Sequence, residues 1–247
     1  MGGPRQTATI TTMLPLAAAG AAAALCLLLG LLLAPEALAH NVSAADRAFM
    51  QASRGTSLGP YVYLGAKHMV TGYDHLMYLA GVIFFLRSLR DVAAFVSLFA
   101  LGHSITLLFG VLADVHVNVY AIDAVIGFSV AYKAFENLSG FRTVLGTRLL
   151  EPRLAVFAFG LCHGFGLASK LQDLALPRDG LVANILAFNL GVELGQMTAL
   201  AGLLILIESV RRLAHYGSVA LGANAALMAG GFTLVGYQLA GLVAGEV

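Results

Sequence analysis

The chain has 247 residues, 59% of them hydrophobic and only 11% charged, with a mean hydropathy of +0.86. A water-soluble domain is about one-quarter charged, so this chain has too little polar surface to face water and reads as an integral membrane protein. A net charge of +1, no basic run and no tryptophan exclude a nucleic-acid partner. Its two cysteines, Cys26 and Cys162, both lie in apolar segments and suggest no disulfide framework.

The first element in chain order is a targeting segment. Residues 1–12 are polar with one basic residue, Arg5, and residues 14–33 form an alanine- and leucine-rich run. Ala37-Leu38-Ala39 is a small-residue cleavage signature, with Pro35 breaking the run just before it. We read residues 1–39 as a secretory signal peptide. Cleavage would leave His40 at the mature N-terminus, where its imidazole and the α-amine form a chelating pair. Residues 40–60 are polar and read as a short extracytoplasmic leader.

Six apolar segments follow, at about 61–86, 92–113, 119–138, 154–171, 181–210 and 217–243. Each is near or above the ~17–25 residues that a membrane helix needs. The expected fold is therefore all-α: a polytopic helix bundle over residues 61–247 with about six transmembrane helices. The connections are short, no soluble domain is inserted, and no internal repeat stands out. Arg87, Arg90, Arg142, Arg148, Arg153, Arg211 and Arg212 fall in alternate loops, whereas the other side carries Lys170 and Arg178 offset by Asp173 and Asp179. The positive-inside rule makes the arginine-bearing loops cytoplasmic and puts both mature termini in the periplasm, the protein lying in the bacterial inner membrane.

Ionisable groups inside such segments are expensive and mark function. On the first span His68, Thr71 and His75 share a helical face at i, i+3, i+7; Asp74 either ligates a cation or fixes an imidazole. His103 and Ser104 lie in mid-segment on the second span, Asp123 near the outer end of the third, and His163 beside Cys162 among glycines on the fourth. On the fifth, Asn189, Glu193 and Gln196 form a polar stripe at i, i+4, i+7, with Gly191 and Gly195 as a packing face. Lys133 and Glu136, three apart, are expected to pair. The six strongest residues are His68, Asp74, His75, His103, His163 and Glu193, supported by Asn189, Gln196, Ser104 and Asp123. Imidazole with carboxylate is the ligand set of a divalent transition metal: nickel, cobalt, zinc or copper(II). Proton relays use the same residue types.

Four stretches carry a resemblance: GAKHMVTGYDHLMYL, ALGHSITL, GLCHGFGLA and LAFNLGVELGQ. They resemble, in order, the motifs of the HupE/UreJ family of bacterial membrane proteins, named as hydrogenase and urease accessory proteins. The likeness runs from Tyr61 to about Leu206, and the last span matches only in being apolar. The family's H-x5-DH motif falls on His68, Asp74 and His75. The resemblance implies a nickel or cobalt permease, not an enzyme, that works beside metalloenzyme maturation proteins. The expected path has an outer site at His68, Asp74 and His75 and a deeper one at His103, His163 and Glu193. No phosphate-binding G-x-x-x-x-G-K-[ST] loop is present, so transport would be facilitated or proton-coupled. The rival readings are a membrane metallochaperone using the same ligands and a haem protein ligated by His103 and His163. A hydrolase is disfavoured, because His103 and Ser104 diverge by about 100° on a helix.

Overall fold

The computed structural model describes residues 44–84, 86, 88–174, 176–212 and 215–245; the expected signal peptide and His40 lie outside them. The described residues form helices and no strand: α1 (Ala44–Ala52), α2 (Leu58–Thr71), α3 (Tyr73–Ile83), α4 (Leu89–Ala113), α5 (Val119–Asn137), α6 (Gly140–Leu145), α7 (Pro152–Gln172), α8 (Leu181–Arg211) and α9 (Tyr216–Ala244). Local chemistry sets several boundaries. The Asn118 side chain caps α5 by accepting the Ala121 N–H (3.0 Å). Glu151 does the same for α7 through the Leu154 N–H (3.0 Å), with Pro152 at the first helical position.

Four described stretches are long and apolar enough to cross a membrane: Leu89–Ala113, Pro152–Gln172, Leu181–Ser209 and Tyr216–Ala244. The other two expected spans differ. Helix α5 has 19 residues but carries Asp123, Lys133 and Glu136. The first span is not one helix, because the chain breaks at Gly72 (ψ 100°) into α2 and α3. The polarity of the bundle is that of a membrane protein. Leu101, Ile105, Phe109 and Leu112 line one exposed face of α4 at helical spacing, while His103 and Thr106 are buried on the other.

Glycines join the helices in pairs. A Cβ on Gly191 would strike the backbone of Val62 and Ala66, and one on Gly195 that of Ala66. Partner numbers rise together, so α2 and α8 are parallel. Gly102 meets Phe157 and Leu161, Gly164 meets His103 and Gly110 meets Ala168, so α4 and α7 are parallel too. Gly127 meets Gly231 and Leu234, whereas Gly241 meets Tyr120, so α5 and α9 are antiparallel. Without water to drive association, close backbone approach and dispersion hold such pairs. The packing roles expected for Gly191 and Gly195 are borne out. The described part of the leader is not a loose tail: α1 lies on the bundle, with Met50 buried, Asp46 paired to Lys67 (2.6 Å) and Gln51 donating to the Leu174 carbonyl (3.2 Å).

Candidate metal centre

The break at Gly72 makes the site. In a continuous helix, residues 68 and 75 are separated by about 10.5 Å of rise. Here their ring centroids are 5.1 Å apart. Helix α2 ends where the Gly72 N–H bonds the His68 carbonyl (2.9 Å), and α3 starts where the Gly72 carbonyl accepts the Leu76 N–H (3.0 Å). The turn between them folds His75 back towards His68. Thr71, expected on the same face, is exposed, and its hydroxyl donates to the Lys67 carbonyl (2.8 Å).

Asp74 falls in the first turn of α3, where the helix dipole favours a carboxylate. It is buried, and its Oδ1 accepts both the backbone N–H of His75 (2.6 Å) and His75 Nδ1–H (2.9 Å). The sequence left open whether Asp74 ligates or orients; the geometry gives it the orienting contact. With the proton on Nδ1, the lone pair of His75 is on Nε2.

The α4–α7 pair brings two more imidazoles. Gly164 lies against the His103 carbonyl, and the Thr106 hydroxyl of α4 donates to the Leu161 carbonyl of α7 (2.7 Å). His103 is fully buried at mid-helix, and its ring is 5.8 Å from that of His75. The His163 ring is 4.9 Å from that of His75. His163 Nδ1–H donates to the Phe159 carbonyl (2.8 Å), which again places the lone pair on Nε2. One ligating nitrogen from each of His68, His75 and His103 lies within 4.8 Å of the others. A transition ion with nitrogen ligands at ~2.0–2.1 Å holds them within about 4 Å of one another, so small side-chain movements suffice to close this set on an ion.

The remaining expected residues separate. Glu193 is exposed on α8. The reason is angular: on the stripe at 189, 193 and 196, Glu193 lies about 40° from Asn189 and about 60° from Gln196, and the burial boundary passes between them. Asn189 and Gln196 are buried. Asp123 takes Lys170 (2.7 Å) in an ion pair, Ser104 is half-buried beside His103, and Lys133 pairs with Glu136 (2.7 Å) as expected. The expected outer and deeper sites are instead one histidine cluster near the mid-depth of α4 and α7.

Sequence reasoning missed an aromatic layer. Tyr78, Phe99 and Phe159 each sit one turn from a cluster histidine, towards the arginine-bearing end. The Tyr78 ring is 5.6 Å from His163, 5.5 Å from Phe99 and 5.8 Å from Phe159, and Tyr132 adds a ring 5.4 Å from Phe159. The signal was the His–Tyr i, i+3 and Phe–His i, i+4 spacing. Beyond this layer a cavity of about 350 Å³ opens, lined by Val82, Phe95, Lys133, Glu136, Arg142 and Arg148.

Fold and site together define a helical membrane protein with a buried imidazole centre. The family model described as HupE / UreJ protein matches residues 44–245, and the chain belongs to that family. The resemblance carried by the four motifs is thus borne out, and the match extends through α9. Membership brings a metal-related accessory or permease role. No curated protein and no solved structure matches the chain.

Proposed function

We propose that the protein is a six-span permease of the bacterial inner membrane for a divalent transition metal ion, nickel or cobalt before copper or zinc. The observation that carries this reading is the convergence of four imidazoles, His68, His75, His103 and His163, on α2, α3, α4 and α7. An ion entering from the periplasm exchanges water for neutral nitrogen donors, and the carboxylate of Asp74 offsets part of its charge. A cluster at mid-depth suits passage, because an ion halfway across needs replacement ligands most. The helix directions support six crossings: spans one and five run parallel, two and four run parallel, and three and six oppose. The ion then has to pass the layer of Tyr78, Phe99 and Phe159 to reach the cavity at the arginine-bearing end.

The test is nickel and cobalt uptake into sealed proteoliposomes, with binding measured on the same preparation. Wild type should bind and accumulate the ion, and His75→Ala should lose both. Binding without uptake would make the protein a membrane metallochaperone. A haem-like visible absorption spectrum in the purified protein would replace both readings.

A further inference from the structure

The cavity beyond the aromatic layer is lined by none of the cluster histidines, and its lining is cationic. Three cations, Lys133, Arg142 and Arg148, meet one carboxylate, Glu136. Lys133 and Glu136 form an ion pair (2.7 Å) and cancel. That leaves two guanidiniums. Other arginines at this end are used inside the protein: Arg211 donates to the Phe84 carbonyl (3.0 Å), and Arg211 and Arg212 both reach Glu208 (3.6 and 4.0 Å). Arg142 and Arg148 have no ion-pair partner among the described residues. At about 350 Å³ the space falls within the size range of small-ligand sites, roughly 300–1,000 Å³.

The loop that carries both arginines is held in shape. Ser139 turns the chain with a left-handed backbone (φ 60°), and Gly140 lies so close to the Phe135 ring that a Cβ would strike it. Phe141 then pins α6 to α5, its ring 4.8 Å from that of Phe135 and 4.9 Å from that of Tyr132. The Thr143 hydroxyl donates to the Ser139 carbonyl and the Gly146 N–H to the Arg142 carbonyl (both 3.0 Å). Within the same loop Val144, Leu145, Leu149 and Leu150 are exposed, to a similar degree as the exposed row of α4. Apolar residues interleaved with arginines at the end of a membrane helix suit the headgroup boundary. The aliphatic side chains enter the acyl region, and the guanidiniums stay at phosphate depth.

We propose that the cavity is a headgroup site for an anionic phospholipid: Arg142 and Arg148 take its phosphate, Val144, Leu145, Leu149 and Leu150 lie among the acyl chains, and the bound phosphate eases the exit of a cation at this end. Guanidinium forks match phosphate oxygens bidentately, which an ammonium does not. Anionic lipid phosphates in a leaflet are drawn to basic residues at its surface. The apolar part of the loop selects a lipid over a free anion. The role in exit follows from charge. A divalent ion that has passed Tyr78, Phe99 and Phe159 meets two uncompensated positive charges, and a phosphate between them removes the repulsion. The headgroup site stands by itself; its role in exit rests on the permease reading.

Two measurements test it. The first is lipid retention by the detergent-purified protein, read by native mass spectrometry with phosphatidylglycerol and phosphatidylcholine. Wild type should prefer phosphatidylglycerol roughly tenfold or more, and Arg142→Gln/Arg148→Gln should lose that preference. Arg90→Gln/Arg153→Gln, at the same end but off the cavity lining, should keep it. Equal retention of the two lipids by wild type, or an equal loss in both double variants, would overturn the site. Displacement of phosphatidylglycerol by inorganic phosphate at comparable concentration would make the occupant a free anion and overturn the lipid. The second measurement is nickel uptake into proteoliposomes. Wild type should accumulate several-fold more with phosphatidylglycerol in the bilayer than in phosphatidylcholine alone, and Arg142→Gln/Arg148→Gln should transport in phosphatidylcholine alone. A variant that keeps the wild-type lipid dependence would overturn the role in exit. Absence of wild-type uptake in either bilayer, with lipid preference intact, would instead fail the permease reading and leave the headgroup site standing.

Discussion

Asp74→Asn separates a structural role for the buried carboxylate from a functional one. Asp74 touches His75 twice through one oxygen, at 2.6 Å to the backbone N–H and 2.9 Å to Nδ1. Asparagine keeps the shape and one acceptor oxygen but removes the charge. Two effects on ion binding follow, with the same sign. The imidazole loses the partner that holds its proton on Nδ1, and the centre loses a negative charge beside a divalent ion. Loss of such an orienting partner typically weakens metal affinity ~10–100-fold, or about 1.4–2.7 kcal/mol. Stability should not fall in parallel, because burying a neutral amide is cheaper than burying a carboxylate. The assay is calorimetric nickel titration of detergent-purified wild type and Asp74→Asn, with thermal unfolding followed by circular dichroism. Affinity within twofold of wild type at an unchanged melting temperature would refute the reasoning. Asp74 would then be a cap of α3, and any bound ion would not use His75.

Gly164→Leu and Gly191→Leu should each destabilise the protein by about 1–3 kcal/mol, since a Cβ at either position meets carbonyls of the partner helix; unchanged unfolding of both would refute the paired packing. Glu193→Gln should leave nickel affinity unchanged, because the side chain is exposed, whereas His163→Ala should reduce it; the reverse order, by calorimetry, would put the ion elsewhere. Protons compete with the ion for the imidazole lone pairs, so affinity should be lower at pH 5.5 than at pH 7.5; equal affinities at the two would argue against histidine ligation. A reporter fused to the C-terminus should be active in the periplasm, and N-terminal sequencing should begin at His40; a cytoplasmic reporter would reverse the topology, and a retained Met1 would mean an uncleaved first membrane helix.

Membrane class, helical content and most helix boundaries were legible in the sequence because they depend on local quantities. Apolar length shows at Leu89–Ala113 and Leu181–Ser209 without reference to any other segment. Glycines at helical spacing likewise announced the packing face of α8. The four cluster histidines were identifiable one at a time, since an imidazole in an apolar run is conspicuous wherever it points. Their meeting was not. It depends on a backbone break at Gly72 that shortens the distance between His68 and His75, and on the approach of α4 to α7, which belongs to two segments some sixty residues apart. Glu193 shows the converse: a carboxylate on a plausible stripe faces outward because burial depends on which neighbour covers each part of the helix. The helix pairing was also hidden, because it rests on single glycines whose partners lie on distant segments. Those pairs are held by backbone contacts, and apolar side chains facing lipid can change freely without disturbing them. Sequence alone determined which groups the membrane would have to accommodate; tertiary packing decided which of them share one space.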